Sequence, residues 1–538
     1  MGLMRRSVIA AAALAAGFGG SALAETPKSG GILTFVVPAD PPSYDAHQES
    51  TFAVIHPLAP FYSLLIKVNP ANPGDSTDFV CDLCVGDVPA ATDNGLTYTF
   101  KLHDNVKFHD GEKLDSGDVV ASWNKILNPP KSVRSVRRAM YEMVEGVSAP
   151  DASTVVFKLK RPSTAFIPAL ANPYNWIYSE ERIKDDPNWF KANVMGSGAF
   201  VLDERQPGSL ISGKRYDDYH VEGKPYLDGF KAIFAKKQSL RVQAIRGGRA
   251  SIEFRSFPPK SRDDLVAALG DKITVQESTW NCNLSVSLNH GHKPFADPRV
   301  RKALSLAIDR WGGSKYLSQI AIMKTVGGIV FPGHPLSATK EELEKIPGYW
   351  PSIEESRTEA KRLLKEAGYE NLSFDLCNRN VDQPYKIAGT WLIGEWKKIG
   401  VTAKQRALAT GEWYRSYRET KNYEACVTAS CQAVVNPILD VANNLSTSLS
   451  PQNYRDYEDK EGDALYNAAA LEADPVKQRV KMRAFEDYIL AEKAHYMIVL
   501  WWHRLIPHRS HVKGWVVGPS HYLGQTLVDV WLDPDADK

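Results

Sequence analysis

Short β-rich runs and amphipathic helical runs succeed one another along almost the whole chain, and this alternation limits the possible folds more than any other feature. Gly30 and Gly31 lead into ILTFVV at residues 32–37, which Pro38, Pro41 and Pro42 close. Leu96, Tyr98, Phe100 and Leu102 alternate with a period of two, Asp110-Gly111 supplies a turn, and Asp118 is expected to open a helix through Trp123. Val155, Phe157 and Leu159 alternate again, so residues 67–195 read as a mixed α/β insertion. Residues 196–234 carry short strands between Gly and Pro turns, residues 239–246 have helical character, and residues 252–254 read as a strand. Pro298 begins a helix with Val300, Ala303, Leu304, Ala307 and Ile308 on one face, and residues 356–367 form another that stops at Gly368. The strands at 372–376, 401–407 and 425–429, with a helix over 387–399, complete a β-α-β progression. No internal repeat, low-complexity tract or long flexible linker interrupts the chain, which predicts two α/β lobes joined by strands.

The start of the chain points outside the cytoplasm. Arg5 and Arg6 precede an apolar stretch at residues 8–18 and then Ala22-Leu23-Ala24, the pattern of a secretory signal peptide cleaved after Ala24. The Arg pair also permits a twin-arginine reading, although the residues after it match that motif poorly. No Cys follows the expected cleavage point, so a free periplasmic protein is the simpler reading. No later segment reaches the ~20 apolar residues of a membrane helix. The formal charge of +2 falls to about zero once Arg5 and Arg6 leave, which gives no reason to expect nucleic acid or a membrane surface as partner.

Six cysteines, at positions 81, 84, 282, 377, 426 and 431, are candidate disulfides in an oxidising compartment, and spacing alone allows fifteen connectivities. Cys81 and Cys84 form a single CxxC with no second one to complete a zinc site and no thioredoxin-like context. A small local loop closed by a disulfide is the simpler reading.

The segment YTFKLHDNVKFHDGEKLDSGDVVASW at residues 98–123 resembles the signature of the large peptide, dipeptide and nickel solute-binding family, family 5 of the bacterial extracellular solute-binding proteins. Further matches follow in family order: MGSGAF at 195–200, KPYLD at 224–228, Asn289 with PFADPRVRKALSLAIDR at 294–310, and PGY at 347–349 before AKRLLKEAGY at 360–369. The resemblance implies a bilobed periplasmic binding protein of the large three-domain form. It has mixed sheets, hinged lobes and an inserted α/β subdomain. In this chain residues 25–66, 196–280 and 506–538 are expected to form the first lobe, residues 67–195 its inserted subdomain, and residues 281–505 the second lobe. It implies a monomeric receptor that closes over a peptide or small solute and passes it to the inner-membrane permease of an ABC importer. No cofactor and no catalysis are implied, and the absent GxxxxGK[ST] loop fits, because ATP hydrolysis belongs to other subunits.

The family also implies roles for single residues. Alignment on Asn289 and Pro437 puts Cys282 and Cys431 on a pair of cysteines bonded in the oligopeptide branch. An aspartate two residues past the second cysteine there binds the peptide's ammonium, and the corresponding residue here is Ala433. A buried ammonium without a charge partner costs several kcal/mol. A ligand lacking a free α-ammonium is therefore favoured, unless Asp440 or another acid reaches in. Cys377 and Cys426 sit on strands that could be neighbours, with a bond and two buried thiols both open. Arg255, after the strand at 252–254, and Arg379, after Cys377, could face an acidic ligand. Trp280, Trp413 and Trp501 are candidates for apolar walls of the cleft, with Trp502 beside them.

Two other readings have sequence support to weigh. A nickel or metal-chelate receptor shares the fold, and His503, His508 and His511 cluster near the C-terminus; Arg504 and Arg509 among them disfavour a cation. An exported hydrolase would need a GxSxG elbow, an HExxH helix or a catalytic Cys-His context, and none is legible.

Overall fold

The structure, a computed structural model, describes residues 25–536 apart from Ser76 and Pro451; the expected signal peptide and its cleavage point lie outside the described residues. Two sheets organise the chain. The first has four strands in the order Ile32–Val37, Gly229–Phe234, Leu210–Arg215 and Phe200–Gln206, the first pair parallel and the others antiparallel. The second has six, in the order Met323–Thr325, Met497–Arg509, Ile273–Leu288, Ala425–Cys431, Ser373–Arg379 and Thr402–Leu408. Between the first two strands of the first sheet the chain builds a three-stranded antiparallel sheet from Thr97–Lys101, Thr154–Leu159 and Val144–Asp151.

The helix that follows the Asp110-Gly111 turn is Ser116–Leu127, two residues longer at its start than the sequence suggests. Two aspartates compete for the cap. Asp115 takes it, accepting from the Gly117 N–H at 2.7 Å, and Asp118 becomes the third helical residue, reaching back to the Asp115 N–H at 2.9 Å. Residues 252–254 are also not a full strand. Ile252 makes one bridge to Phe35, and the backbone beyond it turns toward the strand Met497–Arg509, where the Phe257 N–H donates to the Leu505 carbonyl at 2.9 Å.

Ile273–Leu288 and Met497–Arg509 hold the lobes together. They pair from Ile273 opposite Arg509 to Thr279 opposite His503, lose register, and resume at Asn283 opposite Trp501. The ladder breaks at the crossing because the Asn281 N–H is taken by the Pro519 carbonyl at 2.7 Å, while the Asn281 carbonyl accepts from Gln432 at 3.0 Å. Beyond it, Cys282, Leu284, Val286 and Leu288 enter one apolar core with Val300, Leu304, Leu364, Leu392 and Trp396 from three helices. Cys282 stands directly opposite Cys431 in antiparallel register and is bridged to it, with Cα atoms 4.1 Å apart. Cys377 and Cys426, neighbours on parallel strands, are bridged as well, and Cys81–Cys84 closes a small loop. Among the described residues no helix is long and apolar enough to cross a membrane.

Candidate functional site

Where the crossing strands meet, Arg255 and Arg379 come close enough for their charges to act on each other. Arg255 is anchored from behind. Arg504, fully buried, donates to the carbonyls of Gly518 at 2.6 Å, Ser520 at 3.2 Å, Arg255 at 3.3 Å and Phe254, and so fixes the backbone that carries the Arg255 side chain. The Arg255 guanidinium lies over the rings of Phe52 at 5.0 Å and Trp280 at 5.6 Å. Its Nε is buried without a hydrogen-bond partner. Burial depresses its pKa, and the charge of Arg379 works in the same direction, against help from Tyr385 and Glu253.

Arg379 ends the strand Ser373–Arg379. It donates to the Tyr385 hydroxyl at 3.0 Å and the Thr410 hydroxyl at 3.4 Å, and lies 4.8 Å from the Tyr385 ring, 5.5 Å from Tyr414 and 5.8 Å from Trp413. Burial opposes its charge, but Tyr385 and Tyr414 outweigh that and raise its pKa. Its Nε is also buried and unpartnered. Among the described residues neither guanidinium makes an ion pair with a carboxylate.

Aromatic rings complete the walls. Tyr522 lies 5.6 Å from Tyr174, which carries Arg137 over its face at 4.3 Å, and burial pushes the Tyr522 hydroxyl up to about 12. Beneath Arg255, His56 Nε2 is 2.8 Å from the His521 carbonyl and Trp280 donates to His521 Nδ1 at 2.9 Å. Burial lowers His56 to about 3 and His521 well below its ordinary value, so both rings are neutral at pH 7.

The structure thus brings Arg255 and Arg379 together and gives the other candidates different places. Trp280 is fully buried and supports Arg255 from below; it is not a free wall of the cleft. Trp413 packs with Cys377, Tyr417 and Cys426 under Arg379. Trp501 donates to the Gly328 carbonyl at 3.0 Å and lines a separate narrow cavity that also contains Asp440. Ala433 is part-buried against the first-lobe core. Phe52, Tyr174, Tyr385, Tyr414 and Tyr522 have no marking in the sequence beyond their residue type, though the adjacent aromatic pairs Trp413-Tyr414 and His521-Tyr522 were a usable signal. The C-terminal histidines do not converge: His503 sits 3.0 Å from Glu277, His508 3.1 Å from Gln276, and His511 2.9 Å from Ser251. No group of three or more metal-ligating side chains occurs among the described residues.

Residues 87–455 match the family described as "Bacterial extracellular solute-binding proteins, family 5 Middle". The chain belongs to this family. The dipeptide-binding protein of Escherichia coli (strain K12) is 28% identical over 461 residues, spanning 80% of this chain and 82% of that protein. A glutathione-binding protein of the same strain is 26% identical over 327 residues, 60% of each chain. Among solved structures, the binding protein AgaA of A. tumefaciens R10 in complex with agropinic acid superposes with a TM-score of 0.79 at 22% identity, covering 94% of this chain and 99% of that one. The oligopeptide-binding protein AppA of Bacillus subtilis with a nonapeptide gives 0.78 at 21%, covering 94% and 100%. These structures share the bilobed fold. Family 5 proteins are extracellular or periplasmic receptors of ABC importers, and this member is a binding protein of that kind, not an enzyme.

Proposed function

We propose that the protein is a monomeric periplasmic receptor that captures a small acidic solute, a peptide-like acid or another organic acid, between its lobes and delivers it to an ABC permease. The observation that carries this reading is a pair of guanidiniums from distant stretches of the chain whose charges act on each other and which form no ion pair with a carboxylate among the described residues. The two like charges repel each other. A bound carboxylate reverses the sign of that interaction, because guanidinium forks donate to both its oxygens and the low dielectric strengthens the attraction. Ala433 supports an acid over a free-amino peptide, since it offers no carboxylate to an ammonium. In this reading residues 25–66, 196–280 and 506–538 form the first lobe, 67–195 its inserted subdomain and 281–505 the second lobe.

Calorimetric titration of solute-free protein tests the reading with glycyl-glutamate, its N-acetyl form and D-gluconate, each beside its carboxamide. The acids are expected to bind about 100-fold more tightly than the amides, the effect of leaving buried cations unpaired. Equal binding of amide and acid removes the anion from the proposal.

A further inference from the structure

The cationic character of the site does not stop at Arg255 and Arg379. The Tyr414 ring, 5.5 Å from the Arg379 guanidinium, carries that of Arg418 at 4.5 Å, so one phenol is shared by two cations. Tyr414 and Arg418 stand one turn apart where the helix Thr410–Tyr414 runs on through Arg415–Glu419, which puts them on one face. Arg418 also lies 5.6 Å from the Tyr454 ring, and the charge of Arg134, on a distant segment of the chain, reaches the same phenol. Tyr454 packs on Tyr417 at 5.0 Å, and its backbone carbonyl accepts from the Tyr423 hydroxyl at 2.6 Å, which fixes the ring that Arg418 covers. The row joins the cleft at Tyr522, whose hydroxyl feels both Tyr414 and Arg255.

This row lacks counter-charge. Among the described residues neither Arg418 nor Arg134 makes an ion pair with a carboxylate. Glu49 is the acid on which the charge of Arg134 acts, but its hydrogen bond comes from the Ser43 hydroxyl at 2.9 Å. The hydroxyls of Tyr414 and Tyr454 also donate to no protein acceptor among the described residues. Guanidiniums only donate and phenols can do so, and what these groups lack is an acceptor. A cation–π contact alone holds Arg418 on Tyr414, yet it does not account for Arg379 and Arg134 converging on the same two rings. On a chain whose formal charge is only +2, four guanidiniums along one row make a local positive field, and an anion is the occupant that such a field concentrates. A neutral amide or hydroxyl in the same place accepts hydrogen bonds but leaves the like charges repelling each other.

We propose that Arg418, with Arg134 and the hydroxyls of Tyr414 and Tyr454, forms a second anion subsite beside the one at Arg255 and Arg379, so that the solute is a dianion of the dicarboxylic-acid type. The inference rests on the acidic-solute reading and adds a second charged end to the ligand. Calorimetric titration of the full exported protein tests it with two pairs of probes, N-acetylglycyl-glutamate beside N-acetylglycyl-glutamine and adipate beside its monoamide. Both members of a pair keep one carboxylate, and only the first has two. The diacid is expected to bind at least ~10-fold more tightly than its monoacid partner in one or both pairs. That preference is expected to fall to about threefold or less in Arg418→Gln and by a smaller factor in Arg134→Gln. It is expected to persist in Arg415→Gln, which removes an exposed charge from the same helical segment and so measures the general field alone. Melting profiles check that each variant folds. A diacid preference below about threefold in both pairs overturns the subsite, as does one that survives Arg418→Gln. An equal loss in Arg415→Gln shows a diffuse field with no seat for the anion, and also overturns it. If the monoacids bind no better than their fully amidated forms, the acidic-solute reading itself falls, which is a different result from loss of the diacid preference alone.

Discussion

The two arginines of the cleft hold their charge by opposite means. Arg255 rests on Phe52 and Trp280 above neutral histidines, its backbone pinned by Arg504. Arg379 is surrounded by phenols and a hydroxyl that accept two of its protons. Burial therefore wins at Arg255 and lowers its pKa, while the tyrosines win at Arg379 and raise it. The difference shows where binding energy is stored. An anion that pairs with a poorly solvated cation relieves a cost already present in the empty protein, so Arg255 is the more demanding contact.

The largest expected effect sharpens this contrast directly. We predict that Arg255→Gln weakens binding of an acidic solute about 100-fold, roughly 3 kcal/mol, in calorimetric titration. A loss under fivefold would place the anion elsewhere. Next is the acid sensitivity of the histidine beneath it. His56 titrates near 3 in the folded protein and near 6.5 in the unfolded chain, so as pH falls the unfolded chain takes up the proton first. Its stabilising contribution is fully present above about pH 6.5 and is lost at about 1.4 kcal/mol per pH unit, roughly 2 kcal/mol by pH 5. Denaturant melts at pH 7.5 and 5.0 should therefore lose about that much less stability in His56→Gln than in the unmodified protein. An unchanged pH difference would mean that the first-lobe floor is wetter than the packing suggests.

Arg379→Gln comes third. It should cost about tenfold in affinity, because the phenols already satisfy part of what the ligand would. Reversal of the order of the two arginines would break the comparison. The smallest effect concerns the protein without ligand. Arg255→Met is expected to raise its stability by about 1 kcal/mol, since a matching apolar chain removes an unpaired buried charge. Arg379→Met should lower it, because it orphans the Tyr385 and Thr410 contacts. Unfolding midpoints of the two variants decide between these signs.

Much of this was legible in residue order. The two-lobed α/β fold followed from strand and helix periodicity and from the family motifs. What the sequence left open came from contacts between distant segments. Residues 252–254 have the composition of a strand, but the Ile252 carbonyl accepts from the Val36 N–H and the Phe254 carbonyl from the side chain of Arg504, both in distant stretches of the chain. Asp115 and Asp118 are equally good caps by type, and only the reciprocal bonds of the folded turn distinguish them. Phe52, Tyr174 and Tyr522 meet from three separate stretches, and local pattern cannot report such a meeting. Asp440 was recognisable as an acid near the cleft, but its isolation from any cation belongs to the tertiary structure.

The paired strands Ile273–Leu288 and Met497–Arg509 act as a torsion bar. A strand of 16 residues is roughly 50 Å long, and Trp280, with Arg255 stacked on it, lies near its midpoint. The seat of the solute is thus next to the axis, and the rims of the lobes are far from it. A rotation that shifts the guanidinium by a fraction of an ångström displaces the outer helices by several times as much. The strand pair therefore works as the short arm of a lever, and the outer faces of the lobes are the long one.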